Sequence, residues 1–261
     1  VGARGARGHG RQELTSGRAR RRARWAPALR ALVLLLAPAW GAAATLYGVD
    51  NIAGRLFTLD PRTGQAEPVA RLPFENVRDL AWDARRERLL GVDTETDQVI
   101  AVDPGSGAVR VLSRLATRAD PFIGSVAVDP ASGALLGVDY ASARLVRIDP
   151  DSGRLVGVLR LSGGAARTGA IAFDREGRLW LTDTASHRLR RIDLASGRLE
   201  TVARYDTVDY VTAIAFDPAD DALWGVDTRA RALVRIDPRS GRTEPRPGHR
   251  ISFITGIAVV P

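Results

Sequence analysis

From Thr45 onward the chain is written in short apolar runs of five to seven residues, separated by polar turns. "VTAIAFD" at 211–217, "ALWGVD" at 222–227 and "ALVRID" at 232–237 show the form. The runs are rich in branched and aromatic residues, and Asp-Pro, Ser-Gly and Asp clusters lie between them. This is the pattern of short strands joined by tight turns. No stretch after Ala44 sustains a 3.6-residue period, so no helix is expected there.

The runs come back in the same order. An apolar run ending in Asp occurs at Asp50, Asp93, Asp139, Asp183 and Asp227, at spacings of 43, 46, 44 and 44 residues. Ten residues after each stands a second Asp: Asp60, Asp103, Asp149, Asp193 and Asp237, in "FTLDPRTG", "IAVDPGSG", "VRIDPDSG", "RRIDLASG" and "VRIDPRSG". A third phrase, "LAWD", "VAVD", "IAFD", "IAFD" and finally "IAVV", precedes the first. A period in the forties with several strands per repeat predicts a β-propeller blade. The strands are lettered A ("IAFD"), B ("GVD"), C ("RID") and D (after the Ser-Gly). Five copies of each predict an all-β, five-bladed propeller of four-stranded antiparallel blades. The domain spans 45–261, begins on a B strand and ends on an A strand. Pairing those two strands closes the ring.

Most repeat residues have structural work. The Asp ending strand B is placed to accept N–H groups of the B–C turn. "DPxSG" supplies a capping Asp, a Pro that fixes φ, and a Gly for positive φ. Ala81, Ala127, Ala172, Ala215 and Ala258 sit in mid-strand A, where small side chains allow close packing. Trp82, Phe173 and Phe216 follow them, and Tyr47, Leu90, Leu136, Trp180 and Trp224 form a column on strand B, to fill the space between sheets. Strand A opens with small residues (Gly124, Ser125, Gly169, Ala170, Thr212, Ala213, Thr255 and Gly256), as a narrow axis requires. Arg78 and Asp79 break that rule, and a charge pair at the mouth is expected there.

Charge changes the picture only at the start. Nine Arg and one Glu fall within 1–44 and account for the whole formal net charge of +8. The remainder is neutral, so no nucleic-acid partner is expected. The basic stretch "GRARRRARW", the apolar "ALVLLLAPAW" and the small residues Ala42 and Ala44 follow the order of a signal peptide. The expectation is a leader over 1–44, no membrane segment after it, and an exported monomer, periplasmic or secreted. The chain has no Cys, hence no disulfide framework.

The "IAFD…LWLTDTASHRLRRIDLASG" pattern resembles exported bacterial propeller repeats of the NHL and YVTN type. More distantly it is similar to gluconolactonase-like and streptogramin-lyase-like propellers. The resemblance covers nearly all of 45–261. A gluconolactonase-like enzyme would place a metal on a Glu, Asn and Asp set near the axis, which Glu75, Asn76 and an Asp could imitate. A streptogramin-type lyase would need His and Glu around a divalent ion. His187 and His249 are the only His past the leader.

Loop length points to one face. The B-to-C and C-to-D spacings are constant, whereas the distance from the D-strand Gly to the next strand-A Ala varies from 17 to 20 residues. Variable connections on a rigid scaffold are where binding resides. The D–A connections carry Phe74, Glu75, Asn76, Asp79, Arg118, Asp120, Phe122, Tyr205, Asp206, Asp209, Tyr210, His249, Arg250 and Phe253. The B–C turns on the same face add Asn51, Glu95, Asp97, Tyr140 and His187. Acids, aromatics and Arg together suit a protein, peptide or carbohydrate ligand. The expected function is binding on this face, with no catalytic residue and no cofactor assigned. The alternative is a metal-dependent hydrolase or lyase at the axis mouth. "DTETD" (Asp93, Glu95, Asp97) has the oxygen spacing of a calcium loop, but Gln98 stands where the Gly belongs. Exposure of Phe74, Phe122, Tyr210 and Phe253 together would indicate a docking surface for protein.

Overall fold

The computed structural model of the chain describes residues 44–116, 121–163, 168–247 and 253–261. The arginine-rich leader, Arg118, Asp120, His249 and Arg250 lie outside these residues. The described chain is all β, and none of it forms a helix long and apolar enough to cross a membrane.

Twenty strands form five antiparallel sheets of four. Blade I joins β20 (Ile254–Val260) to β1 (Thr45–Asp50), β2 (Arg55–Leu59) and β3 (Ala66–Arg71). Blade II runs β4 (Val77–Asp83), β5 (Arg88–Asp93), β6 (Gln98–Val102) and β7 (Val109–Arg114). Blade III runs β8 (Ile123–Val128), β9 (Leu135–Asp139), β10 (Arg144–Ile148) and β11 (Leu155–Arg160). Blade IV runs β12 (Thr168–Phe173), β13 (Leu179–Asp183), β14 (Arg188–Ile192) and β15 (Leu199–Arg204). Blade V runs β16 (Val211–Asp217), β17 (Ala222–Asp227), β18 (Ala232–Ile236) and β19 (Thr243–Pro247).

The inner strands β4, β8, β12, β16 and β20 each touch the next, and β20 touches β4 again. The ring therefore closes, through the predicted pairing of β20 with β1, in which Tyr47 lies opposite Ala258. The C–D turns also form as read. In each, the Gly N–H donates to the Asp carbonyl, as Gly64 does to Asp60 at 2.7 Å, with the Gly at φ near +70°.

Five apolar clusters fill the five spaces between blades, and each repeats one rule. The mid-strand Ala of one blade packs with the branched residue of the next. The pairs are Ala81 with Val126, Ala127 with Ile171, Ala172 with Ile214, Ala215 with Ile257, and Ala258 with Leu80. Behind each Ala stands the large strand-B residue paired with it: Leu90, Leu136, Trp180, Trp224 or Tyr47. Small against large at each interface fills the wedge without strain.

Enlarging one of these alanines tests the rule. Ala172→Leu is expected to lower unfolding free energy by about 1–3 kcal/mol through overpacking. Val111→Ala on the exposed outer strand β7 should stay within about 0.5 kcal/mol. Urea unfolding of both variants checks this, and equal effects would refute the packing rule.

Candidate functional site at the axis mouth

The five strand-B aspartates are buried and act locally, as their spacing suggests. Asp50 Oδ1 accepts the N–H groups of Ile52 and Ala53 at 2.9 and 3.0 Å. Asp227 Oδ1 accepts those of Arg229 and Ala230 at 2.9 and 2.8 Å. Among the described residues, three of them also reach back to their own D–A connection. Asp93 takes the N–H of Asn76, Asp139 that of Phe122, and Asp227 those of Asp209 and Tyr210. Each carboxylate thus pins a variable connection to a fixed turn.

A second device lies at the top of every inner strand. All five A–B pairs shift register there, leaving Thr212, Gly124 and Thr255 singly unpaired. In the other two blades Arg78–Asp79 and Gly169–Ala170 take that place. A bulge re-aims the side chain it carries. Four of the five blades carry Gly or Thr at the leading bulge position, and blade II carries Arg78. The Arg78 guanidinium lies 4.7 Å over the Phe122 ring, in cation–π contact. Phe122 meets Tyr140 at 6.0 Å between ring centroids. The Tyr140 hydroxyl donates to the Gly169 carbonyl. Arg78 Nε and Thr255 Oγ1 are buried and have no hydrogen-bond partner among the described residues.

The expected Arg78–Asp79 pair does not form: no ion pair joins these two residues. Asp79 turns the other way, into the interior, where it is 3% exposed. Its carboxylate accepts Leu80 N–H at 2.9 Å, Ser125 Oγ–H at 2.6 Å and Val126 N–H at 3.1 Å, and a fourth bond from Ile257 N–H. Ser125 Oγ in turn accepts Ile171 N–H at 2.8 Å. Four blades are tied at this point. Gly256 is required beside it, because a Cβ there would stand 2.3 Å from Asp79 Cα. Burial pushes the Asp79 carboxyl up to about 8, against the pull of Ser125 and the three N–H groups.

The other predicted residues separate into groups. Asn51 sits half-buried in the first B–C turn, and Glu75 is exposed, 3.8 Å from Arg71. Asn76 Nδ2 donates to Glu95 at 2.8 Å. On the far side of the mouth His187 Nδ1 bonds the Asp209 carbonyl, while Arg229 lies 3.4 Å from the Asp209 carboxylate and 4.7 Å over the Tyr210 ring. Asp206 is used elsewhere. It accepts the N–H and hydroxyl of Thr243 at the start of β19, latching the outer strands of blades IV and V. Tyr205 is buried in the interface between those blades, so it is not a mouth residue. Phe74, Phe122 and Tyr210 are half-buried and only Phe253 is exposed, so the four aromatics make no common exposed patch. Arg78, Phe122 and Thr255 lay in plain view as residues, but only the bulge brings them to one place. The repeat signal that could have singled out Arg78 is its position, the only charge in a column of Gly and Thr.

A family model described as the SMP-30/gluconolactonase/LRE-like region matches residues 80–256. The chain belongs to this family. Among solved structures, the nidogen/laminin complex contains a chain 15% identical, with 82% of this chain and 84% of that one covered and a TM-score of 0.55. A protein of unknown function from Bacteroides caccae is 13% identical over 83% of this chain and 98% of its own, with a TM-score of 0.53. Virginiamycin B lyase from Staphylococcus aureus is 17% identical, covering 74% of this chain and 62% of the lyase, with a TM-score of 0.48. At these identities the likeness is one of fold. No curated protein sequence matches the chain.

The SMP-30/gluconolactonase-like resemblance implies a divalent ion on a Glu, Asn and Asp set at the axis. The described residues do not fit one. Asp79 reaches the axis, but its oxygens already accept four donors. Glu75 and Asn76 are turned to Arg71 and Glu95. In "DTETD", Asp93 is occupied by Asn76 N–H and by the N–H and hydroxyl of Thr96. Among the described residues no three His, Asp or Glu groups converge as metal ligands would.

The Asp79 knot gives a pH dependence of known sign. A carboxyl raised in the folded state contributes fully below its ordinary value near 3.8 and loses that contribution as pH rises through about 8. The urea midpoint of the wild-type chain is therefore expected to fall between pH 5 and pH 9. Asp79→Asn should be less stable at pH 5, because its amide faces N–H donors, and should lose the slope. A slope of the same size in Asp79→Asn would show that another group is responsible.

Proposed function

We propose that this chain is a binding propeller whose D–A and B–C face takes a carboxylate-bearing ligand at the axis mouth. One observation carries the reading. Arg78 is half-buried at the mouth, its guanidinium 4.7 Å over the Phe122 ring, and no ion pair holds it among the described residues. A carboxylate is the acceptor whose geometry matches a guanidinium. The Phe122 and Tyr140 rings, tilted 43° to one another, supply an aromatic wall beside the charge. A uronic-acid sugar or a peptide C-terminus has this combination of carboxylate and stackable body. The signal-like leader supports a location outside the cytoplasm, where such ligands are met.

The metal-dependent hydrolase or lyase is the weaker reading, because it needs an axial carboxylate free to ligate, and Asp79 is committed to the blade interfaces. A titration series tests the proposal: glucuronate and a short peptide, each against its amide or ester. The free carboxylate is expected to bind at least about ten-fold tighter than the blocked form, a hydrogen bond to a charged group being worth about 1.5–3 kcal/mol. Arg78→Gln should remove that preference. Equal binding of free and blocked forms, or an unchanged preference in Arg78→Gln, would overturn it.

A further inference from the structure

The outer rim of the mouth face departs from symmetry in its own way. Where strand C leaves the B–C turn, its first residue stands opposite the last residue of strand D. In three blades both residues are Arg: Arg55 with Arg71, Arg144 with Arg160, and Arg188 with Arg204. Like charges directly opposed across two strands weaken a sheet. The fold does not require them, because blade V makes the same pair from Ala232 and Pro247, and blade II from Gln98 and Arg114.

Two of the charged pairs gain a third Arg from the next blade. Gly197 packs on the Arg160 carbonyl, where a Cβ would stand 2.3 Å from the oxygen, and Arg198 follows it. Gly241 approaches the Arg204 carbonyl in the same way, and Arg242 follows. All six of these arginines are exposed. On blades I and II an acid answers the charge: Arg71 has Glu75 at 3.8 Å, and Arg114 has Asp97 at 4.0 Å. At the two triads only Arg242 has one, Glu244 at 4.0 Å. Arg144, Arg160, Arg188, Arg198 and Arg204 have no ion pair among the described residues. Asp193 and Asp237 of the adjoining C–D turns are engaged with their own turns, accepting Ala195 N–H and Arg239 N–H at 2.8 Å each.

We propose that this rim binds a linear acidic polysaccharide, which runs from the Arg144, Arg160 and Arg198 triad to the Arg188, Arg204 and Arg242 triad one blade on. Cation groups repeated at each blade match a polymer with an anion on every unit, and a guanidinium takes a carboxylate through two parallel bonds. Among the described residues none of the six is stacked on an aromatic ring, the surface on which a single-stranded nucleic acid lays its bases. A flexible acidic peptide would lose more freedom on binding than a stiff glycan. The rim is separate from Arg78 and does not depend on the reading of the mouth.

Titration calorimetry of the whole chain with oligogalacturonate, and with its methyl ester, tests this. The acid is expected to bind, and to weaken about ten-fold or more between about 50 and 200 mM salt, as counterion release from about three paired charges predicts. The ester should not bind. Arg144→Gln combined with Arg160→Gln should lower affinity about ten-fold and flatten the salt dependence, because two of the paired charges are gone. The same double variant without ligand should melt no lower than the wild type, since a like-charge pair has been removed. Arg62→Gln combined with Arg175→Gln, which takes equal charge from turns away from both triads, should bind as the wild type does, and so should Arg78→Gln. No binding, equal binding of the ester, an equal loss in either control, or tighter binding of single-stranded DNA or polyglutamate of the same length would overturn the proposal. The comparison of acid with ester decides even if the double variant fails to fold.

Discussion

Five sheet edges meet at the axis, and their N–H groups must find acceptors where water is excluded. An unpaired strand edge in a dry interior costs free energy at every donor. Asp79 answers for Leu80, Val126 and Ile257 at once, and Ser125 answers for Ile171. In blade IV, Thr182 takes the Ala170 N–H at 2.8 Å. The blades can approach closely only because these acceptors stand between them. The branched ring below and the bulged mouth above both take their positions from this layer.

That layer also separates two environments. Above it, the bulges aim one cation into a column of Gly and Thr, over the ring of Phe122. Below it, alanines and branched residues line an apolar hollow. The same inner strands serve both ends, because a strand fixed in its middle presents different residues to each face. The rigid scaffold is symmetric, and chemistry enters where one blade departs from the other four, as blade II does with Arg78 at the top.

The repeat made the fold legible. Spacing, the Asp-Pro and Ser-Gly turns and the order of the strands sufficed for blade number, strand number and closure, since each is a local rule written five times. The clamp role of Asp50, Asp93, Asp139, Asp183 and Asp227 was readable for the same reason. The candidate site was less so. Asp79 and Asp206 carry the same side chain on neighbouring kinds of loop, yet one knots four blades and the other latches two outer strands. Tyr205 reads as a loop aromatic and lies in a core.

By itself, then, the amino-acid sequence determined the architecture: a closed ring of five four-stranded sheets, its turn chemistry, and the small-against-large packing of its interfaces. These follow from contacts between residues close in the chain or one repeat apart, which periodicity exposes. Tertiary structure alone decided which polar groups remain unused. Arg78 and Asp79 are neighbours in sequence but part at a bulge. Whether a polar atom is satisfied depends on the geometry of groups brought together from several blades, and no spacing along one chain records that.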